Sequence, residues 1–242
     1  MTAASTLEEV KKGYESWYGP DRAAGESRCD EDAPWYQWAR RTLVEVAGRR
    51  VLEIACGRGA LTSWLAARGA CVTGCDISEQ ALAQARARGG SAYAACDIHK
   101  LPFRDGEFDV LVCCETLEHT LEPDAALREL RRVAKPGATL LLTTPSYLNT
   151  YGLYRVYLRL SGRPYGAAGV QPIDHAFFAP GIARRVTRSG FRIRHTEGLV
   201  HYLLPARSRV DVVERSPLLS RWLRHFALHF AIEAELPGTA TV

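Results

Sequence analysis

Long apolar runs are missing from this chain. Charged residues interrupt every hydrophobic stretch well before the ~18 residues that a membrane-spanning helix needs. The opening segment MTAASTLEEVKK is polar and acidic, without the apolar centre of a secretory signal. Paired CxxC spacing is missing too: seven cysteines are present, an odd number, and they read as reduced, small hydrophobic residues. These absences lead us to expect a cytoplasmic protein with no membrane span. Net charge is scarce as well, +4 over 242 residues, too little to argue for a nucleic-acid partner by itself. The excess is local: Arg184 to His225 holds ten Arg against Glu197, Asp211 and Glu214, which suits either a solvated face or an electropositive mouth for an anionic substrate. Internal repeats and low-complexity tracts are absent.

What is present is an ordinary globular balance, 47% hydrophobic and 24% charged, in a chain long enough for one large domain with additions. From Arg50 to Pro145 short apolar runs (RVLEIA, ACVTGCD, SAYAACD, FDVLVCC, ATLLLTTP) alternate with helical patterns. Runs dense in Val, Ile and Leu on both faces, joined by helices, predict a mostly parallel sheet covered on both sides, a doubly wound α/β fold. Lys135, Pro136 and Gly137 are expected to break the preceding helix before the next strand. Residues 5–18 read as an amphipathic helix, with Leu7, Val10, Tyr14, Trp17 and Tyr18 on one side. A polar turn-forming stretch follows at 19–34, so 1–45 is expected to form a helical lid and 46–145 the ligand-binding core. Residues 146–179 hold Tyr147, Tyr151, Tyr154, Tyr157 and Tyr165, an insertion that either packs as core under a cap or walls a substrate pocket. The remainder, 180–242, reads as helix, strand, short helix and a final segment whose alternating Phe226, Leu228, Phe230 and Ile232 favour a strand, although a helix could use the same residues.

The sharpest chemical signal is VLEIACGRGAL, a strand running through Gly57 and Gly59 into a helix. Glycine permits a tight turn and close approach of a ligand, and the helix beyond supplies free N–H groups. Asp76 ends the second strand, where a carboxylate holds ribose hydroxyls or else caps the helix beginning near Ser78. Asp97 ends the third, so Glu53, Asp76 and Asp97 align at the carboxyl edge of the sheet, where open α/β sheets bind ligands. Ile77 and Ile98 follow two of these acids, placed to sandwich a flat purine or to pack beneath the loops.

With these residues in place the chain resembles the class I S-adenosylmethionine-dependent methyltransferases, in the small-molecule branch that includes the ubiquinone-pathway O-methyltransferases. VLEIACGRG is similar to that family's cofactor loop, with Ala55 standing at its usual first glycine. ACVTGCDIS, AACDIHKLPF, FDVLVCCETLEH and LRELRRVAKPGATLLLTTPS are similar to its later segments. The resemblance implies a seven-stranded Rossmann-like sheet and S-adenosyl-L-methionine as methyl donor. It places Ala55, Gly57 and Gly59 along the methionine portion, Asp76 on the ribose, and Asp97 with Ile98 at the adenine. Glu53 falls near the ammonium, Cys114 and Glu115 opposite the methyl sulfonium, and Tyr14 and Tyr18 over the cofactor.

Methyl transfer to a hydroxyl also requires that a proton leave, by a general base or a Lewis acid. If ETLEH forms a helical turn, Glu115, Glu118 and His119 share one side, and His175 in PIDHAFF is a fourth candidate. This pattern is similar to the magnesium site of methyltransferases acting on small-RNA 3′ ends, so Glu115, Glu118, His119 and His175 are candidate magnesium ligands. The same residues are alternatively a metal-free acid–base set, with His119, His175 and Glu115 catalytic, or purely structural. The expected activity is methyl transfer to a small-molecule acceptor, foremost a hydroxyl oxygen. Transfer to nitrogen or carbon, or to an RNA 2′-hydroxyl, is the competing reading; a nicotinamide oxidoreductase should show GxGxxG, which is missing.

Overall fold

The computed structural model describes residues 6–19, 32–89, 91–149, 152–153, 156–157, 160–162, 173, 175–203, 208–209 and 216–238. Its centre is a seven-stranded sheet of β1 (Arg50–Ile54), β2 (Cys71–Asp76), β3 (Ala92–Ala95), β4 (Phe108–Cys114), β5 (Ala134–Pro145), β6 (Arg192–Leu199) and β9 (His229–Glu235). Their order across the sheet is β3-β2-β1-β4-β5-β9-β6. The first five strands are mutually parallel, and β9 runs antiparallel between β5 and β6. Two short strands, β7 (Tyr202–Leu203) and β8 (Ser208–Arg209), pair apart from it.

Alternation along the strands sorts side chains onto two faces, as a sheet covered on both sides requires. Leu52, Ile54, Leu111, Cys113, Leu140 and Leu142 join a core with helices α5 (Pro123–Val133) and α6 (Ala179–Arg188). Val51, Val110, Val112 and Leu141 join the opposite core with α2 (Pro34–Thr42) and α3 (Ala60–Ala66). The expected final strand is present but starts only at His229, leaving Leu228 before it and Phe226 in a 3-10 turn, and it brings Phe230 and Ile232 to one face and Ala231 to the other.

Two local expectations are revised. Gly137 does not separate helix from strand: β5 already begins at Ala134, paired with Phe108, and the register then jumps to Val110 opposite Thr139. Gly137, at φ +83°, occupies the irregularity, where the left-handed backbone suits glycine. The expected N-terminal lid divides into two. Trp38 and Ala39 of α2 are fully buried in the sheet's core, whereas α1 (Leu7–Trp17) fully buries only Val10. Thr6 and Glu9 form a reciprocal cap at the start of α1. Within the Tyr-rich insertion, Tyr151, Tyr154 and Tyr165 lie outside the described residues, while Tyr157 is half exposed beside exposed Leu153, Val156 and Leu160.

Candidate active site

The carboxyl ends of β1, β2 and β4 and the loops that leave them form the site. After β1 the backbone enters the left-handed region three times, at Ala55 (φ +53°), Gly57 (φ +52°) and Gly59 (φ +73°). Two of these positions carry no Cβ, and space explains why. A Cβ on Gly57 would stand 2.9 Å from the Tyr18 hydroxyl, and one on Gly59 2.7 Å from that of Tyr93. Ala55 pays about 1 kcal/mol or more for a conformation that glycine adopts freely.

Asp76 locks this turn in place. One of its carboxylate oxygens accepts from the Gly57 N–H at 2.9 Å and the other from the Ser78 N–H at 2.9 Å. Ser78, not Asp76, caps helix α4 (Glu79–Arg88), its hydroxyl accepting from the Ala81 N–H. Burial raises the Asp76 pKa against these hydrogen bonds. Each carboxylate oxygen has a second acceptor position, so holding the loop leaves capacity for a ligand hydroxyl.

Glu53 lies beneath the loop with only 2% of its surface exposed. Its Oε2 accepts a hydrogen bond from the Thr62 hydroxyl, whereas Oε1 is buried without a hydrogen-bond partner. Burial pushes this carboxyl up to about 8, opposed by Thr62 and Tyr36. A buried acid with one unsatisfied oxygen is the setting that a cation stabilises.

Helix α1 reaches over this region by polar contacts. Glu15 accepts from the Ser78 hydroxyl and from the N–H groups of Glu79 and Gln80 at 2.8–3.0 Å, capping α4 from another part of the chain. Partial burial raises the pKa of Glu15, but the bonds from Gln80, Glu79 and Ser78 outweigh it and hold the carboxyl below its ordinary value. Gln84 donates to the Tyr18 carbonyl, and the Arg58 guanidinium lies 5.7 Å from the Tyr18 ring centre. Tyr18 is thereby held over Gly57; Tyr14 is half buried on the same helix. Ile77 is half buried after β2, whereas Ile98 belongs to the core. Asp97 engages its neighbour: its Oδ1 meets His99 Nδ1 at 2.6 Å and accepts the His99 N–H at 3.0 Å. His99 Nε2 in turn accepts from the Glu122 N–H ahead of α5.

At β4 the site meets the other half of the sheet. Ile54 is the Cα partner of Cys113, so Ala55 and the buried Cys114 lie along the same edge. Glu115 follows at φ +49°, a left-handed backbone in a non-glycine residue, its N–H donating to the Thr143 carbonyl at 3.0 Å. Its Oε2 meets Nδ1 of His229 at 2.8 Å, while Oε1 is buried and unbonded.

This kink corrects the expected magnesium cluster. ETLEH is not one helical turn: only Leu117–His119 forms a 3-10 turn, and Glu115 faces away from it. Glu118 is fully buried and accepts from the Thr144 hydroxyl at 3.1 Å. His119 Nδ1 meets the Ile173 carbonyl at 2.8 Å and His175 Nε2 the Thr120 carbonyl at 2.9 Å. A carbonyl only accepts, so these two ring nitrogens are donors and only the opposite nitrogens, Nδ1 of His175 and Nε2 of His119, the latter 3.7 Å from Glu118 Oε1, keep a lone pair in the neutral rings. The His175 N–H bonds the Glu118 carbonyl at 2.7 Å, completing a clasp between the turn and Ile173 and His175. Among the described residues no three His, Cys, Asp or Glu side chains gather as metal ligands. The four candidates thus do not converge as one magnesium site among the described residues.

Several participants have no sequence motif. Thr62 sits one turn into α3, Glu15 lies more than sixty residues from the amides it caps, and His229 comes from the last strand. For His229 a signal existed: a final antiparallel strand begins at the edge where parallel strands end.

Comparison with known proteins bears on the domain and its fold. Residues 52–142 match the methyltransferase domain family. The ubiquinone biosynthesis O-methyltransferase of Bordetella bronchiseptica is 34% identical over 113 residues, 44% of this chain and 47% of that protein. Its namesake from Pseudomonas aeruginosa is 39% identical over 105 residues, 41% and 45% of the two chains. The chain thus spans about half the length of the curated relatives it matches. Among solved structures, an S-adenosylmethionine-dependent methyltransferase from Mesorhizobium loti superposes with a TM-score of 0.61 at 22% identity, over 85% of this chain and 99% of that one. Magnesium protoporphyrin IX methyltransferase from Synechocystis does so with 0.61 at 19% identity, over 93% of each chain. These two likenesses establish the fold.

Proposed function

From the premise that this chain carries a class I S-adenosylmethionine-dependent methyltransferase domain, we propose that it moves a methyl group from that donor to a hydroxyl oxygen of a small molecule. The observation that carries the donor half is the buried, unbonded Oε1 of Glu53 under the glycine turn. The donor's ammonium group is the kind of cation that would complete it. Gly57 and Gly59 leave room for the methionine portion, and Asp76 retains acceptor capacity for ribose hydroxyls. Asp97 and Ile98 border the adenine position, Ile77 lies beside them, and Tyr14 and Tyr18 close the site from α1. The bound donor supplies a methyl group already activated by the positive charge on sulfur, so the protein's task is alignment and removal of the acceptor's proton.

The oxygen acceptor draws support from the carboxylate and imidazole beside Cys114, and from the O-methyltransferase activity for which the ubiquinone-pathway relatives are named. His119 and His175 serve in this reading as the clasp that shapes the acceptor side, with Glu115 kept as the candidate for chemistry. The insertion 146–179 supplies the acceptor's wall. An extended RNA partner has less in its favour. Arg185 pairs with Asp124, and Arg192 and Arg194 with Glu235, so part of the arginine excess is neutralised within the fold. No helix among the described residues is long and apolar enough to cross a membrane.

The test is calorimetry with S-adenosylhomocysteine followed by product analysis with phenols, amines and carbon acids. Binding together with methyl ethers as product supports the proposal. N- or C-methyl products would redirect the acceptor assignment, and failure to bind S-adenosylhomocysteine would overturn the donor assignment.

A further inference from the structure

His229 stands at the start of β9, which runs against its neighbours and therefore begins at the edge where β4 and β5 end. Its Cα partners are Pro145 of β5 and Leu199 of β6. Glu115 approaches from β4 and Trp35 from α2, the indole meeting the imidazole edge-on with ring centres 5.1 Å apart. Of these neighbours Glu115 alone carries an ionisable side chain. A carboxylate only accepts, so the 2.8 Å contact fixes the proton of neutral His229 on Nδ1. That leaves the lone pair on Nε2, for which the described residues provide no hydrogen-bond partner. Both side chains are mostly sheltered, 12% and 14% exposed, beside the Cys114 end of β4.

We propose that His229 is the general base of this enzyme and Glu115 the positioning residue that sets its tautomer. The inference rests on the hydroxyl-methylation reading above. When the acceptor oxygen attacks, its O–H proton passes to Nε2 of His229 and the oxygen pair forms the new bond to the methyl carbon. The former sulfur–carbon pair returns to sulfur, giving a neutral thioether; the proton later leaves His229 for water. Glu115 keeps its charge throughout and stabilises the imidazolium that forms. Its left-handed φ turns the carboxylate from the 3-10 turn toward β9, which gives the strain at this position a purpose.

The test compares catechol with the more acidic 4-nitrocatechol as acceptors, in wild type, His229→Ala and Glu115→Gln. A base matters most where the acceptor holds its proton. His229→Ala should therefore lower turnover on catechol by roughly 100-fold or more, with a much smaller loss on 4-nitrocatechol and S-adenosylhomocysteine affinity within about twofold. Equal losses on both acceptors, or none, would overturn the proposal. Nitrogen NMR of wild-type imidazoles supplies a reading that survives misfolding of a variant: His229 should carry its neutral proton on Nδ1, and a proton on Nε2 would overturn the dyad. S-adenosylhomocysteine binding without transfer to either catechol would count against the hydroxyl reading. The spectrum would then judge the dyad separately.

Discussion

The two halves of the sheet are built by different rules. On the side of β1, β2 and β3, the strand-end acids act on groups within about twenty residues of them: Asp76 holds Gly57 and Ser78, and Glu53 accepts from Thr62. Helix α1, through Glu15 and Tyr18, reaches in from farther along the chain. On the side of β5, β9 and β6, contacts join residues far apart in the chain, Glu115 to His229 and His175 to the 118–120 turn. On the assignment proposed above, the donor half is thus specified mostly by short spacing and the acceptor half by topology. A change in the first should disturb cofactor binding and local stability together, and a change in the second should separate them.

The largest expected break is Asp76→Ala. It strands two buried N–H donors, each worth about 1–3 kcal/mol, and removes the carboxylate proposed to hold the ribose. S-adenosylhomocysteine affinity should fall at least tenfold to a hundredfold with a lower melting temperature, by calorimetry and thermal denaturation. Loss of affinity without loss of stability would break the claim that loop and ligand share one carboxylate.

Glu53 sharpens the same half through pH. Its folded pKa of about 8 exceeds the ordinary carboxyl value of 4.5, so the folded state retains a proton that the unfolded state has released. Stability from this group is therefore full below about pH 4.5 and declines as pH rises through about 8. Glu53→Gln should flatten that decline in urea titrations across the range. Binding of the cationic donor should release a proton near neutral pH, detectable as calorimetric heats that vary with the buffer's ionisation enthalpy.

The acceptor half should respond differently. Tyr151→Ala or Tyr154→Ala is expected to raise KM for the acceptor while cofactor affinity stays within about twofold. A fall in cofactor affinity would reassign the insertion to the donor side. The smallest effect is a gain: Ala55→Gly relieves a left-handed alanine, and urea denaturation should show stabilisation of up to about 1 kcal/mol after glycine's entropic cost.

The same contrast explains what could be read from the sequence. Strand order on the donor side follows from alternating apolar runs and from glycines and acids at their ends, and Glu53, Asp76, Gly57 and Gly59 lie where that pattern puts them. The final strand was legible only in its alternation, and only Phe230 and Ile232 of that pattern lie on β9: Leu228 precedes it and Phe226 belongs to the 3-10 turn Arg224–Phe226. The ExxEH spacing misled because helical periodicity assumes a helical backbone. Glu115 breaks it with one positive φ, held by Thr143 on a neighbouring strand. The partners of Glu15 and His229 had no local signature, since side chains 64 and 114 positions from their partners meet only when the sheet has assembled.

The attachment of α1 carries a consequence for timing. Apart from Val10 this helix contributes no fully buried residue, and it is pinned to the domain by a carboxylate on the first turn of α4. Its release is a local opening whose free energy lies below that of global unfolding. Tyr18 rides on the end of that helix above Gly57, so if the donor binds there as proposed, its residence time is expected to follow the opening frequency of the Glu15 latch, a hydrogen-bond clock some distance from any bond being made.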